Sequence, residues 1–291
     1  MKLVGLDYGG VLMGYKVVMD SCGEMTEQMK DDEHYVSVPL TLEVDGEFIV
    51  DDETFNQTEF LAKVDASPTC PRSACPSPET YRQEFDCDAE RIYGVTLSAE
   101  LSGSYNAAML GRSMFKADNP DKKIHIFNSR AASVAETLIA KMVADCEAMN
   151  LGFEKTVQKI EAYIASQRTT FVLENLDTLR KNGRLSLVKA FVASALKIKP
   201  VMIATEEGTI DQIDQARGIN KALIKLVDAV VEHSVDGANR ILGISHCNCP
   251  ERAQLVKQAI LAKMKVKDTI VLDTAGVSSM YANDGGIIVT I

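Results

Sequence analysis

No stretch of this chain approaches the ~20 uninterrupted apolar residues that a bilayer crossing needs, so nothing in it reads as a membrane span. Basic side chains are the minority, 31 against 41 acidic, for a net charge of −10. That balance argues against a nucleic-acid or anionic-membrane partner, although a local site can oppose the global sign for a small anion. No small-residue cleavage site follows the opening "MKLVGLDYGGVLMGYK", whose apolar run Asp7 and the glycines interrupt, so no secretory leader is expected. The seven cysteines are odd in number and scattered. They fit a reduced, cytoplasmic chain better than a disulfide framework.

Catalytic signatures are missing too. There is no G-x-S-x-G elbow, because "GISHC" at 243–247 lacks the closing glycine. No G-x-x-x-x-G-K-[ST] loop occurs, and Gly5, Gly9, Gly10 and Gly14 do not form G-x-G-x-x-G. The four histidines, His34, His125, His233 and His246, have no supporting motif. A serine hydrolase using Ser102 or Ser245 with one of them remains the enzymatic alternative, which a fluorophosphonate probe would reveal. The chain is expected to do no covalent chemistry by itself and to need no cofactor.

What is present is an ordinary globular composition, 46% hydrophobic and 25% charged, over 291 residues. That length suggests about two domains. Short β-branched runs (16–20, 35–44, 91–97, 123–128, 169–174, 200–206, 240–246 and 268–273) alternate with helical patterns such as Val157, Ile160, Tyr163 and Ile164 on one face. Strand–helix–strand alternation predicts α/β layers with largely parallel pairing. The boundary is placed near 165–168, giving domains 1–165 and 166–291. Asp20, Ser21, Ser98, Ser102, Asn128 and Ser129 all follow predicted strands, where ligands of open α/β sheets gather.

Four local features stand out. "TLSAELSGSYNAAML" (96–110) is a strand-to-helix junction whose Ser102 and Gly103 would meet unpaired N–H groups and the positive end of a helix dipole. The bland alternative is a helix cap at Ser102 or Ser104. "RSACPSP" (72–78), within a proline-rich segment read as an irregular loop, offers Ser73 on a stiff backbone, as a binding loop or a mere connector. "SHCNCPE" (245–251) groups His246, Cys247 and Cys249 but lacks zinc spacing, so incidental thiols are the better account. Arg180, Lys181, Arg184, Lys189, Lys197 and Lys199 cluster between 173 and 202. They are either a solvated face or a dock for an acidic or phosphate-bearing partner. The apolar run 187–199 behind them has the character of a cavity cover.

In order, these segments resemble the DegV family, bacterial fatty-acid-binding proteins that include the FakB subunits of fatty acid kinase. "MDSCGEM" (19–25) is similar to the family's T-D-S-[ST], "RSACPSP" to T-T-S-Q-P-S-P, and "SAELSGSYNAA" (98–108) to S-x-x-L-S-G-T-Y-x-S-A. "FNSRAAS" (127–133) stands where V-D-S-x-x-A-S is usual, "LDTLRKNGRLS" (176–186) for L-x-x-L-x-x-G-G-R-I-S, and "LKIKPVM" (196–202) for L-x-I-K-P-I-L. The likeness runs from about Val17 to the C-terminus and leaves the first 15 residues without a counterpart.

The resemblance implies two α/β domains: a three-layer α/β/α domain with a largely parallel sheet, and a second with a mixed sheet. It implies an acyl chain buried in an apolar cavity, its carboxylate held by Ser102, Gly103 and Ser73, with Ser129 also in the ligand-binding set. It further implies presentation of the acid to a separate Dak-type kinase that makes an acyl phosphate, with Arg184 and Arg217 presenting the ligand or docking that kinase. This sequence departs from the family at its end. The usual G-T-H-x-G-P-G is "SSMYANDG" (278–285), so Tyr281 replaces the histidine of the carboxylate site. "SVAETL" (133–138) also lacks the glycines that normally follow its serine.

Overall fold

The computed structural model describes residues 14–185 and 197–291. Most of the apolar run 187–199 and Lys189 therefore lie outside the described residues. The chain begins with β1 (Tyr15–Asp20), α1 (Glu27–Lys30) and β2 (Tyr35–Val38), followed by a hairpin of β3 (Thr41–Val44) and β4 (Glu47–Val50). Then come α2 (Gln57–Ala66), β5 (Arg72–Ala74), α3 (Pro78–Phe85), β6 (Arg91–Thr96), α4 (Ser104–Asp118) and β7 (Lys123–Asn128). Two helices, α5 (Val134–Ala148) and α6 (Phe153–Ser166), lead into β8 (Thr169–Val172) and α7 (Asp177–Lys181). The remainder is β9 (Ile198–Ala204), β10 (Ile210–Arg217), α8 (Ile219–His233), β11 (Ile241–His246), α9 (Pro250–Leu261), β12 (Asp268–Asp273), α10 (Gly276–Ala282) and β13 (Ile287–Thr290).

The first sheet, ordered β2-β1-β6-β7, is wholly parallel. Both its faces are covered, as parallel strands require. Alternation along β1 shows how: Val17 and Met19 pack with Ile139, Val143 and Ile160 of α5 and α6, while Val18 packs with Tyr81, Phe85 and Phe115 of α3 and α4. This is the three-layer α/β/α arrangement expected.

The second large sheet, ordered β10-β9-β8-β13-β11-β12, is mixed, with one parallel pair at β11–β12. Helices α8 and α9 bury Leu226, Val230, Val256 and Ile260 against one face. Phe171, Met202 and Ile288 turn to the other, where α7 and α10 lie. Helix α5 touches both large sheets, since it packs on β1 and β6 and also on β11 and β13.

A third, three-stranded antiparallel sheet, β4-β3-β5, differs from the sequence expectation. The run 35–44 is two strands in different sheets, because Pro39 has no N–H to continue the ladder. "RSA" within the proline-rich segment is a strand, pairing Ser73 with Leu42. No described helix is long and apolar enough to cross a membrane.

Candidate functional site

An apolar cavity lies between the two large sheets, the kind of concave site that takes a small molecule. Its walls come from every layer that meets there. Leu97, Leu101 and Ala131 follow strands of the parallel sheet; Phe171, Ala204, Ile210 and Ile288 face in from the mixed sheet. Val277 and Tyr281 project from α10, and Leu179 and Arg184 come from α7 and its C-terminal turn. The surface they present is almost entirely apolar.

Ser133, Thr169 and Ser278 are also in the wall, whereas Ser73, Ser102 and Gly103 stand outside the lining, next to Tyr281 and Leu101, which belong to it. The Ser73 and Tyr281 hydroxyls lie 3.2 Å apart. The Arg184 guanidinium sits 5.8 Å from the centre of the Tyr281 ring and donates through Nε to the Leu101 carbonyl at 3.1 Å. Leu101 adjoins Ser102 and Gly103. A Cβ on Gly103 would come within 3.0 Å of the Cys75 sulfur, so the absence of a side chain lets this loop and the Ser73 loop close on each other. Burial raises the Tyr281 phenol pKa, although Ser73 and Arg184 act against the rise. The group therefore stays a neutral donor at physiological pH.

The junction itself is divided. Gly103 is the N-cap of α4 and no side chain caps it. Ser104 is buried and structural: its hydroxyl donates to Asp20 at 2.5 Å and lies 2.6 Å from that of Tyr81. Ser102 is half-buried, and its oxygen accepts the Ser104 N–H at 3.2 Å. Its own O–H has no acceptor among the described residues.

Ser129 stands apart from this group. It is wholly buried, its hydroxyl is spent on the Ala131 carbonyl at 3.1 Å, and it lines a separate pocket with Gln167 and Thr205. Arg217 is exposed at the end of β10, opposite Ile198, away from the cavity lining. The other post-strand polar residues do not share one crevice. Asp20 and Ser98 are buried; Ser98 donates to the Gly208 carbonyl, and the Asn128 side chain accepts the Ala99 and Arg130 N–H groups. Sequence position put these groups at strand ends, but their hydrogen bonds are consumed in fixing the loops.

The basic cluster is partly neutralised. Arg180 pairs with Asp177 at 3.2 Å and Lys199 with Glu174 at 2.7 Å. His246 lies 3.2 Å from Asp273, and burial pushes the Cys247 and Cys249 thiols up to about 11. Ser245 is buried and donates to Glu24 at 2.9 Å. Among the described residues no histidine is hydrogen-bonded to a serine, so no Ser–His pair is assembled.

Comparison with known proteins matches this arrangement to one family. The sequence profile of the DegV family, whose members are described as uncharacterised proteins, matches residues 15–290. A DegV domain-containing protein of Streptococcus pneumoniae is 34% identical over 254 residues, covering 87% of this chain and 89% of the relative. Among solved structures, a DegV-family protein of Ruminococcus gnavus with vaccenic acid superposes with TM-score 0.94 at 50% identity, over 96% of this chain and 99% of that one. The Streptococcus pneumoniae Fatty Acid Kinase (Fak) B3 protein loaded with linoleic acid superposes with TM-score 0.84 at 30% identity, over 96% and 99%. The chain belongs to the DegV family.

Proposed function

We propose that this DegV-family protein binds a long-chain fatty acid or similar lipid in the cavity between its large sheets and presents it to a separate fatty acid kinase. The observation that carries the reading is the cavity itself: an almost wholly apolar space between the sheets, with Tyr281 and Arg184 in its wall and the Ser73 hydroxyl 3.2 Å from that of Tyr281. Burying an alkyl chain is worth ~0.8 kcal/mol per methylene, so affinity comes from the walls and the few donors fix direction. The vaccenic acid of the Ruminococcus gnavus protein and the linoleic acid of the Streptococcus pneumoniae one support a long-chain acid as the ligand.

In this reading Ser102, the Gly103 backbone, Ser73 and Tyr281 hold the carboxylate. Hydrogen bonds to the charged form keep it ionised. Its oxygen can then attack the terminal phosphorus of a nucleoside triphosphate held by the kinase; the diphosphate leaves and the acyl phosphate stays on this protein. Arg184 lies beside the Tyr281 ring and suits the new phosphate's charge, while exposed Arg217 is available for docking. The test combines the protein loaded with labelled oleic acid, ATP and a bacterial fatty acid kinase. Acyl phosphate that depends on all three components is expected, and its absence with a kinase active on its own carrier would reject the presenting role.

A further inference from the structure

Beneath the loop that carries Ser102 and Gly103 lies a pair of carboxyl groups with no part in the acyl-binding reading. Asp20 ends β1 and is wholly buried. Its Oδ2 accepts the Leu97 N–H at 3.0 Å and the Ser104 hydroxyl at 2.5 Å, and its Oδ1 accepts the Cys22 N–H at 3.2 Å. Leu97 and Ser104 bracket the loop, so one side chain ties down both of its ends.

Glu136, in the first turn of α5, is equally buried, and no protein donor reaches either of its oxygens. A Glu136 oxygen, an Asp20 oxygen and the Cys22 sulfur all lie within 4.8 Å of one another. Room for the glutamate comes from Gly23, where a Cβ would stand 2.8 Å from that of Glu136.

Two buried carboxyls this close cannot both ionise without a heavy desolvation and repulsion cost. The donors decide which one keeps the charge: three converge on Asp20, while Glu136 faces at most the weak Cys22 thiol. The titratable neighbours are Cys22 and Glu24 from the segment after β1 and Tyr81 from α3. All are acids. Burial, then the charges of Asp20 and Glu24, push the Glu136 carboxyl well above its usual range.

We infer that Glu136 is a neutral carboxyl that donates its proton to Asp20, and that the proton-sharing pair positions the Leu97–Ser104 loop for the ligand's carboxylate. The effect on affinity rests on the proposed acyl binding; the shared proton does not. Glu136 is a positioning residue, acting through Asp20 and Ser104 rather than on the ligand.

The experiment joins infrared difference spectroscopy of ligand-free protein with oleic acid titrations. Wild type minus Glu136→Gln is expected to show the carbonyl stretch of one protonated carboxylic acid at neutral pH. Glu136→Gln, whose amide still donates to Asp20, is expected to bind oleic acid within about threefold of wild type, whereas Glu136→Leu loses about tenfold or more. Asp20→Asn, which keeps the size but gives up an acceptor, serves if the leucine variant does not fold and shows the same loss. A spectrum with no such band, or equal affinity in the glutamine and leucine variants, overturns the inference. So does one zinc or manganese ion per chain by elemental analysis that Glu136→Gln abolishes, because a cation would then replace the proton. A protein with the infrared band that takes up no fatty acid would instead fail the functional reading alone.

Discussion

Ser73 of β5 and Tyr281 of α10, 208 residues apart, meet through hydroxyls 3.2 Å from each other. The contact joins the small antiparallel sheet to α10 at the cavity wall, which Tyr281 lines. The Tyr281 phenol supplies a donor there. Tyr281→Phe keeps the ring and removes only that donor. We expect it to weaken binding of a fluorescent fatty acid by about tenfold, the worth of roughly one charge-assisted hydrogen bond. Ser102→Ala is expected to do the same with the fold intact. Unchanged affinity in both variants would remove these side chains from the site.

Tyr281 is placed by α10, and α10 is held by Asp51, which is buried just after β4. The Asp51 carboxylate accepts the Gly276 N–H at 2.6 Å, the Val277 N–H at 2.9 Å and the Ser21 hydroxyl at 2.9 Å. It caps a helix 225 residues away as an N-cap side chain would. Asp51→Ala should lower unfolding free energy by ~1–3 kcal/mol, and fatty acid affinity should fall with it. Urea denaturation alongside ligand titration checks both. A stable variant with weakened binding, or the reverse, would separate the cap from the site.

Glu24 gives a pH signature. It is buried, and although Ser133 and Ser245 donate to it, burial raises its carboxyl from 4.5 to about 7. Burial likewise takes Asp51 from 3.8 to about 6. A carboxyl raised in the folded state holds its proton more tightly there than in the unfolded chain. Its contribution is therefore complete below the unfolded value and is lost as pH climbs through the folded one. The urea midpoint should fall between about pH 4 and pH 7, and Glu24→Gln should flatten much of that slope. A midpoint that rises over the same range would contradict the assignment.

The cavity walls predict a length limit. Ala204 ends β9, and its small side chain lines the cavity. Ala204→Phe should exclude about three methylenes, costing ~2–3 kcal/mol of long-chain affinity. A shorter acid that never reached this position should be unaffected. Competition titrations with acids of graded length would show the crossover; equal losses at all lengths would mean that the chain does not run past β9.

Much of this architecture is legible in the residues. The parallel strands are continuous β-branched runs, and "KIHIFN" and "DTIVLD" coincide with β7 and β12. What escaped has physical reasons. β10 reads "IDQIDQAR", an edge strand with charge on its open side, so it lacks the apolar signal of a buried one. β13 is four residues long and follows two glycines. β5 hides among prolines because pairing with β3, not its own composition, makes it a strand. At the proposed site, local sequence marks Ser102 and Ser73 as candidates without telling a binding serine from a helix cap or a connector, and only the ordered family motifs join them to Tyr281. Ser129 looks equivalent in sequence, yet its backbone partner claims its hydroxyl. The buried acids Glu24 and Glu136 give no sequence signal, because an acid in a loop or in the first turn of a helix is usually solvated.

The most direct test of the central claim is native mass spectrometry of gently purified protein, followed by organic extraction of whatever it carries. One long-chain fatty acid per chain, displaced by added oleic acid and depleted in Tyr281→Phe, is the result this account predicts. Protein at its bare sequence mass that takes up no labelled fatty acid would contradict it.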